Sequence, residues 1–339
     1  MKSLLHWRVV KPPLKIEHGI FKSESKSLQT ARTKFAASSN SKYAIFAGGN
    51  SGLSNVECYS DNLVYNTAED LQNARYYLKS CKVSDYCIFA GGRLTNSHQS
   101  ASVDCYDSNL VHKVLDDMNI DRYYISSANT TDYAIFAGGY TPGTNITTTY
   151  NSNLVKVTSP NLSVARYSIC GATVNNKAIF AGGWTSKPIS TVDCIDNSLV
   201  ASTLTELTTA RYDLASVVLN DTALFGGGKT NSGYTATVET YNSQLVKVTA
   251  PDLSSARRYL TSAIAKNGDL EYGIFAGGYN GTYLSTVDCY NSNLAKFDLD
   301  DLSVGRQELE GASIGNYAIF AGGANKAGNQ TAIDIYECK

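Results

Sequence analysis

Seven arginines recur at one position of a repeated segment, and their side chains are the best suited in the chain to bind a ligand. A guanidinium presents several N–H donors in one plane and binds a carboxylate or a sulfate through paired hydrogen bonds. A ring of such groups around a channel would capture an anionic ligand or an acidic peptide. The seven residues are Arg32, Arg75, Arg122, Arg166, Arg211, Arg257 and Arg306.

A structural role would explain the same arginines. The residue five positions before each one is mostly acidic or an amide, so local ion pairs could fix the connections between repeated units without any ligand. The sequence favours this structural role and leaves ligand capture by part of the ring as the alternative. The preceding residues are Ser27, Asp70, Asp117, Asn161, Glu206, Asp252 and Asp301.

A second set of candidates follows a Gly-Gly pair in every unit. The residue after the pair changes from unit to unit, and tyrosines stand close to several arginines. Aromatic side chains with a polar tip suit a protein epitope or a sugar. We therefore predict that Arg93, Tyr140, Trp184, Lys229 and Tyr279 bind ligand together with the arginine ring. Asn50 and Ala324 take the same position in the other two units, and the nearby tyrosines are Tyr77, Tyr124, Tyr167, Tyr212 and Tyr259.

The sequence lacks the patterns of metal binding and catalysis. Its four histidines, His6, His18, His98 and His112, have neither a repeat relation nor the spacing of metal ligands. The Gly-Gly pair lies between two predicted strands, whereas a dinucleotide-binding loop joins a strand to a helix. No nucleophile elbow and no P-loop occurs. We therefore expect no cofactor, no metal and no enzymatic activity.

The repeated segment that organises these residues is Tyr-Ala-Ile-Phe-Ala-Gly-Gly. Seven near copies occupy residues 43–49, 86–92, 133–139, 177–183, 222–228, 272–278 and 317–323. Each unit reads as four short antiparallel strands separated by turns, with the arginine before the first strand and Gly-Gly after the second. A third run contains Val-(Asp/Glu)-Cys, and an Asn/Asp-Ser turn precedes the fourth. Seven such units predict an all-β, seven-bladed β-propeller.

The spacings separate the fixed parts of each unit from the variable part. Each arginine precedes its first glycine by 16 residues, except in the sixth unit, where extra residues near 266–269 lengthen the spacing to 20. The loop between the second and third strands varies most, and loops on a rigid scaffold usually carry recognition. The predicted rim of the site therefore comprises residues 50–55, 93–102, 140–146, 184–191, 229–237, 279–286 and 324–332.

The two ends of the chain complement each other. The last unit has no fourth run, and Ile20-Phe21-Lys22 takes the place that Leu154-Val155-Lys156 takes before a later arginine. We therefore predict that the first strand completes the last blade and closes the ring. Residues 16–339 form the predicted propeller, and residues 1–15 form a predicted N-terminal arm.

Composition and charge exclude several classes of partner. The 339 residues carry a net charge of −1, so no overall field attracts nucleic acid. No apolar run is long enough to span a bilayer, and we expect no secretion signal, since residues 1–15 contain no apolar core of signal-peptide length. We expect synthesis in the cytoplasm, with the final location left open between the cell interior and a surface or virion particle.

The eight cysteines are expected to be free structural thiols. Cys58, Cys105, Cys194 and Cys289 share one strand position, and equivalent positions in neighbouring blades are too far apart to form a disulfide. Cys81 and Cys87 are the one pair that could face each other across a hairpin. Free thiols fit a reducing compartment.

Over residues 20–339, the arginine, the apolar run into Gly-Gly and the third-strand tyrosine together resemble the kelch repeat. The tryptophan usual in the fourth strand of that family is missing. The resemblance implies that the arginines and the variable loops share one face around the channel. It also implies a monomeric, non-enzymatic module that binds a protein or a cell-surface glycan, similar to bacterial or phage surface and tail proteins attached through residues 1–15.

Two other functions remain open from the same resemblance. One is an intracellular adaptor, although the chain contains no partner domain such as BTB. The other is an enzyme that processes sugar acids with channel arginines and a glutamate. Glu206, Glu239 and Glu271 would be the candidate glutamates for that chemistry.

Overall fold

The computed structural model describes residues 19–50 and 52–339, and they form the predicted seven-bladed β-propeller of four-stranded antiparallel blades. Within these ranges the chain is strand, turn and loop, with no helix. None of the described residues forms an apolar helix long enough to cross a membrane. The predicted arm, residues 1–15, lies outside the described residues.

Blades are numbered 1 to 7 along the chain, and strand one of each blade lines the central channel. The first strands are Ala36–Ser39, Lys79–Val83, Ser126–Asn129, Cys170–Val174, Ala215–Leu219, Thr261–Asn267 and Glu310–Ile314. The second strands are Tyr43–Ala47, Tyr86–Ala90, Tyr133–Ala137, Lys177–Ala181, Thr222–Gly226, Leu270–Ala276 and Tyr317–Ala321. The third strands are Val56–Ser60, Val103–Tyr106, Thr147–Asn151, Val192–Asp196, Val238–Tyr241, Val287–Asn291 and Gly328–Cys338.

The outer strands are shorter. The fourth strands of blades 1, 2, 3, 4 and 6 are Tyr65–Ala68, His112–Val114, Lys156–Val157, Ala201–Thr203 and Lys296–Asp298. Additional short strands are Lys26–Arg32, Arg75–Tyr76, Arg93–Leu94, Lys229–Thr230, Gly233–Tyr234 and Ala324–Asn325. In blade 5 the outer run makes no regular ladder, because the Thr240 hydroxyl bonds the backbone N–H and C=O of Val248 instead.

The first strand of the chain closes the ring, as predicted. Ile20–Lys22 pairs antiparallel with the last strand, with Ile20 opposite Cys338 and Lys22 opposite Tyr336. Lys26–Arg32 continues along the same strand. Blade 7 is therefore assembled from both ends of the chain, and its outer edge is covered.

Seven apolar cores lie between neighbouring blades, one at each interface. Alternate residues of the second strand enter different cores: Ala44 and Phe46 pack towards blade 7, while Ile45 and Ala47 pack towards blade 2. Because this strand is buried on both faces, its sequence is apolar throughout rather than alternating. The repeated segment is therefore the packing centre of each blade.

All eight cysteines are free and buried. Cys81 enters the core between blades 2 and 3, whereas Cys87 enters the core between blades 1 and 2. The two thiols thus lie on opposite faces of blade 2 and cannot pair. Burial raises the pKa of both to about 12, so these thiols are protonated at neutral pH.

The Gly-Gly pair joins each blade to the next. A Cβ on the first glycine would lie within 2.7 Å of the carbonyl oxygen of the next blade's arginine, as Gly182 does with Arg211 at 2.5 Å. The second glycine donates its N–H to the same oxygen, as Gly183 does at 2.9 Å. Both glycines have positive φ in every blade. The pair is therefore a steric and hydrogen-bonding requirement of the blade interface.

Candidate functional site

The seven arginines lie inside the blades. Each is fully buried, with 0% of its surface exposed. Six guanidinium groups form an ion pair with an acidic residue of the third strand in their own blade, and six donate to the carbonyl oxygen of the buried phenylalanine of the second strand. In blade 2, for example, Arg75 Nη2 lies 2.6 Å from Asp104 Oδ2 and 3.1 Å from the Phe89 carbonyl oxygen. The acidic partners are Glu57, Asp104, Asp193, Glu239, Asp288 and Asp334.

This burial corrects the prediction of an arginine ring at the channel mouth. Arg32, Arg75, Arg122, Arg166, Arg211, Arg257 and Arg306 have no exposed surface with which to contact a ligand. Their role is the structural one, but the partner differs from the one expected. It is the acidic residue of the Val-(Asp/Glu)-Cys run, not the residue five positions before the arginine.

The third-strand carboxylates also accept hydrogen bonds from the segment that leads into six of the blades. Asp288 accepts a hydrogen bond from the Ser254 N–H at 2.8 Å as well as from Arg257 at 2.7 Å. Burial alone would raise the pKa of Asp288, but the charge of Arg257 and these hydrogen bonds outweigh it and hold the pKa below its ordinary value. Five of the residues five positions before the arginines instead accept hydrogen bonds at or just before the start of a third strand, as Glu206 does from the Ser190 hydroxyl.

Seven side chains form a ring around the mouth of the channel. Each belongs to the residue two positions after one of the arginines. All seven residues have φ between 51° and 57°, although none of them is glycine. In five of the seven, this conformation turns the backbone so that its N–H donates to the equivalent carbonyl oxygen of the preceding blade, as from Tyr77 to Lys34 at 2.7 Å and from Tyr259 to Asp213 at 3.2 Å. We call these residues the mouth ring: Lys34, Tyr77, Tyr124, Ser168, Asp213, Tyr259 and Glu308.

The mouth ring combines aromatic, acidic and basic groups around a cavity of about 170 Å³. Asp213 Oδ2 lies 3.4 Å from Arg258 Nη1, and the Arg258 guanidinium stacks over the Tyr259 ring at 4.2 Å. On the other side, Glu308 Oε2 lies 4.0 Å from Lys34 Nζ and Glu308 Oε1 accepts from the Tyr77 hydroxyl at 3.4 Å. Opposite charges are thus distributed around the mouth.

Burial shifts the acidic groups of the mouth towards their neutral forms. It raises the pKa of Asp213 to about 6, against the opposing effects of Ser168 and Arg258. It also raises the pKa of Glu308, and that of Glu310 one step further into the channel, where the charge of Lys79 opposes the shift. Clustered carboxyl groups with shifted pKa values are typical of functional sites.

An outer belt surrounds the mouth ring on the same face. The residue after each Gly-Gly pair hydrogen-bonds with the residue that follows the arginine, as in the pairs Tyr123–Tyr140 and Tyr167–Trp184. The other pairs are Thr33–Asn50, Tyr76–Arg93, Tyr212–Lys229, Arg258–Tyr279 and Gln307–Ala324. The structure therefore brings Arg93, Tyr140, Trp184, Lys229 and Tyr279 to one face, together with the variable loops.

Neighbouring aromatic rings in the belt are in contact. Tyr140 meets Tyr123 and Tyr167 at centroid distances of 5.4 and 5.1 Å. Trp184 meets Tyr212 at 4.8 Å, and the Arg93 guanidinium lies 5.5 Å from the Tyr123 ring. The belt joins the mouth ring through Tyr124 and Tyr167, 6.3 Å apart.

Sequence reasoning missed the acidic part of the mouth. Glu206, Glu239 and Glu271 are paired elsewhere, with Ser190, Arg211 and the Asn220 N–H, whereas Glu308 and Glu310 face the channel. The available signal was the variation at the second residue after each arginine. This signal was obscured because tyrosines occur at both the first and the second residue after the arginines. The first residue belongs to the outer belt, whereas the second belongs to the mouth ring.

Within the described ranges, no three His, Cys, Asp or Glu side chains are grouped as a set that could hold a metal ion. His112, for example, stacks on Tyr106 and bonds Asp104 at 2.7 Å, which is a structural role inside blade 2.

Comparisons with known proteins give the fold. No protein-family model and no curated protein matches the chain. Matches to solved structures include "Structure of YjhT", which is 13% identical, with a TM-score of 0.58 over 91% of this chain and 96% of that chain. At this level of identity the similarity shows that the two chains share a propeller architecture, and function has to be argued from the site.

Proposed function

We propose that this protein is a non-enzymatic binding module that recognises a protein or a glycan through the mouth ring and the outer belt. The observation that carries the proposal is the contrast between backbone and side chains in the ring. Seven residues share one φ value, yet they are Lys, Tyr, Tyr, Ser, Asp, Tyr and Glu.

The hydrogen bonds between blades explain the shared backbone conformation of the ring, but they do not explain why its side chains differ from blade to blade. A positive φ costs a non-glycine residue roughly 1 kcal/mol or more. Glycine would avoid this cost while keeping the inter-blade hydrogen bonds. Large or charged side chains at six of the seven positions therefore support selection for what they present to the channel mouth.

The size of the cavity favours a partner that lies across the face. Sites that enclose a small molecule usually measure about 300–1,000 Å³. The mouth cavity of about 170 Å³ is smaller and admits one side chain or one sugar substituent of a larger partner. The aromatic belt would then supply most of the contact area.

The repeat pattern supports a kelch-type assignment, which we include in the proposal. Seven arginines in register with seven Gly-Gly pairs carry it. Display on a bacterial or phage surface would fit a scaffold with such regular blades and variable loops.

The proposal is tested by measuring the binding of the wild-type protein and of surface variants to glycan and peptide arrays. Substitution of the buried arginines is unsuitable, because it would disrupt the blades. The double variant Tyr124→Ala/Glu308→Gln should lose the signals of the wild type. Lys266→Ala, an exposed change in the extended turn of blade 6, should keep them. Ligands retained by the double variant, with its thermal unfolding unchanged, would remove the mouth ring from the site.

A sugar-acid-processing enzyme is the second candidate, favoured by the raised pKa values of Asp213 and Glu308 in one cavity. A carboxyl group with a pKa near 6 is suited to general acid–base catalysis at neutral pH. Turnover of sugar acids would support this candidate only if Asp213→Asn and Glu308→Gln reduce it. Absence of turnover in the wild-type protein would leave the binding module as the function.

A further inference from the structure

One sector of the outer belt forms a cleft between blades 3 and 4. Its volume is about 290 Å³, and its walls are formed by Tyr140, Tyr167 and Trp184, with Pro142 and Thr185 at the margin. The Tyr140 and Tyr167 rings stand nearly perpendicular, at 84°. The cleft is therefore lined on adjacent sides by flat aromatic surfaces.

The lining of this cleft carries no charge, unlike the sectors beside it. The residues that line it are Tyr, Pro, Gly, Ala, Trp and Thr. In the neighbouring sectors the same belt positions hold Arg93 in blade 2, and Lys229 and Arg258 in blades 5 and 6. An uncharged aromatic cleft suits a neutral ligand, since a charged ligand would lose hydration there without gaining an ionic partner.

The polar tips of the aromatic residues are available to a ligand. In the described part of the chain, the Tyr140 and Tyr167 hydroxyls and the Trp184 indole N–H hydrogen-bond to no other residue. Tyr140 is 36% exposed. The cleft thus offers apolar faces together with hydroxyl and N–H groups at the solvent edge.

The backbone holds the cleft in shape without a ligand. Trp184 and Tyr167 exchange two backbone hydrogen bonds of 2.8 and 3.1 Å, and Thr144 donates to Gly139 across the loop of blade 3. A site that is already ordered loses less entropy when it binds.

We propose that this cleft binds one neutral sugar ring in the pyranose form. A pyranose has C–H faces that stack on aromatic rings and hydroxyl groups at its edge that exchange hydrogen bonds with phenol, indole and threonine groups. The volume of about 290 Å³ lies at the lower limit for ligand sites, as expected for a ligand of one ring. The inference rests on the proposed function, for which it names the ligand class in one sector of the face.

Intrinsic fluorescence gives a direct test, because the chain contains two tryptophans, Trp7 and Trp184. In a Trp7→Phe background, Trp184 alone reports on the cleft. The protein is titrated with methyl glycosides of neutral hexoses and N-acetylhexosamines, with a sialic acid and a proline-rich peptide as comparison ligands. A neutral glycoside should give a saturable change in Trp184 emission, whereas the other two ligands should not.

Two variants locate the binding. Tyr140→Ala should weaken sugar binding about tenfold or more. Val200→Ala shortens an exposed apolar side chain in the turn between the third and fourth strands of blade 4, outside the cleft, and should leave the dissociation constant unchanged. Equal affinity in the Tyr140→Ala variant, or a response only to the peptide or the sialic acid, would overturn the inference.

The outcome is separable from that of the proposed function. Failure of every neutral glycoside, with array ligands still lost in the Tyr124→Ala/Glu308→Gln variant, would reject the sugar cleft alone. Binding of a glycoside with array signals unaffected by the double variant would reject the mouth ring while keeping the cleft.

Discussion

Arg122 differs from the other six buried arginines because it has no acidic partner among the residues that the structure describes. Its third strand carries Thr148 where the other blades carry Asp or Glu, so Nη2 bonds the Thr148 hydroxyl at 3.0 Å and Nη1 bonds the Ile146 carbonyl at 2.6 Å. Burial without a counter-ion lowers the pKa of Arg122 to about 10, so the group is still charged at neutral pH. Blade 3 therefore contains a buried charge stabilised by dipoles alone.

Thr148→Asp should stabilise the protein by about 1–3 kcal/mol, because it supplies Arg122 with the ion pair found in the other blades. The converse change in blade 2, Asp104→Thr, should destabilise it by about 3–5 kcal/mol. Denaturant unfolding of both variants measures the two effects. A Thr148→Asp variant no more stable than the wild type would mean that neutral partners already satisfy Arg122.

Asp213 should make stability depend on pH near neutrality. Its pKa of about 6 in the folded state lies above the ordinary value of 3.8. The stabilisation from this group is complete below pH 3.8 and is lost as the pH rises through 6. Between pH 5 and 7.5, the free energy of unfolding should fall by about 1 kcal/mol more in the wild type than in Asp213→Asn. Parallel pH profiles of the two proteins would contradict the raised pKa.

At the level of elements, the first glycine of each pair should tolerate no side chain. Gly182→Ala places a Cβ 2.5 Å from the Arg211 carbonyl oxygen at φ +66°, so the blade interface must shift. A loss of about 2–4 kcal/mol is expected, since a strained φ is combined with a broken inter-blade hydrogen bond. Gly143→Ala is the control, because its φ of +47° is also positive but no heavy atom lies within 4 Å of the new Cβ.

Thermal unfolding of the two glycine variants separates conformational strain from steric contact. Gly143→Ala should lose only about 1 kcal/mol from its backbone conformation. Similar losses in both variants would show that φ alone makes glycine necessary, and that the contact with the next blade's arginine is relaxed at little cost.

The strands and turns could be predicted from the sequence because they repeat. The continuous apolar run of the second strand predicts that the strand is buried on both faces, and Gly-Gly indicates where two blades approach closely. The burial of the arginines could not be predicted in the same way. Whether Arg166 faces solvent depends on Asp193, which the fold brings from a strand 27 positions away in the chain.

The candidate surface was predicted in part for the same reason. Residues after Gly-Gly, such as Tyr140 and Trp184, lie on the expected face because a fixed turn places them there. The mouth ring depends on a left-handed backbone conformation at residues such as Tyr77 and Glu308. Propensity argues against that conformation for bulky side chains, and it becomes visible only when seven blades bond to one another around the axis.

For the whole molecule, the interfaces between blades carry most of the structure. Each of the seven interfaces contains an apolar core and a glycine pair bonded to an arginine carbonyl. Residues of the mouth ring, or the residue next to one of them, also contact each other across each interface. The continuous chain crosses all seven interfaces. Its two ends meet inside blade 7, where Ile20–Lys22 and Lys26–Arg32 pair non-covalently with the last strand.

Ring closure should therefore be the most sensitive point of the molecule, and two equivalent lysines test this. Lys22 pairs with Tyr336 and lies 2.9 Å from Asp334, as Lys296 pairs with Tyr290 and lies 3.1 Å from Asp288. Proline at either position removes the same strand pairing and ion pair. Lys22→Pro should lower the free energy of unfolding by at least about 2 kcal/mol more than Lys296→Pro, since it also opens the ring and exposes the edge of blade 7 to water. Denaturant unfolding and limited proteolysis measure the difference, and equal losses would show that the closing strand contributes no more than any outer strand.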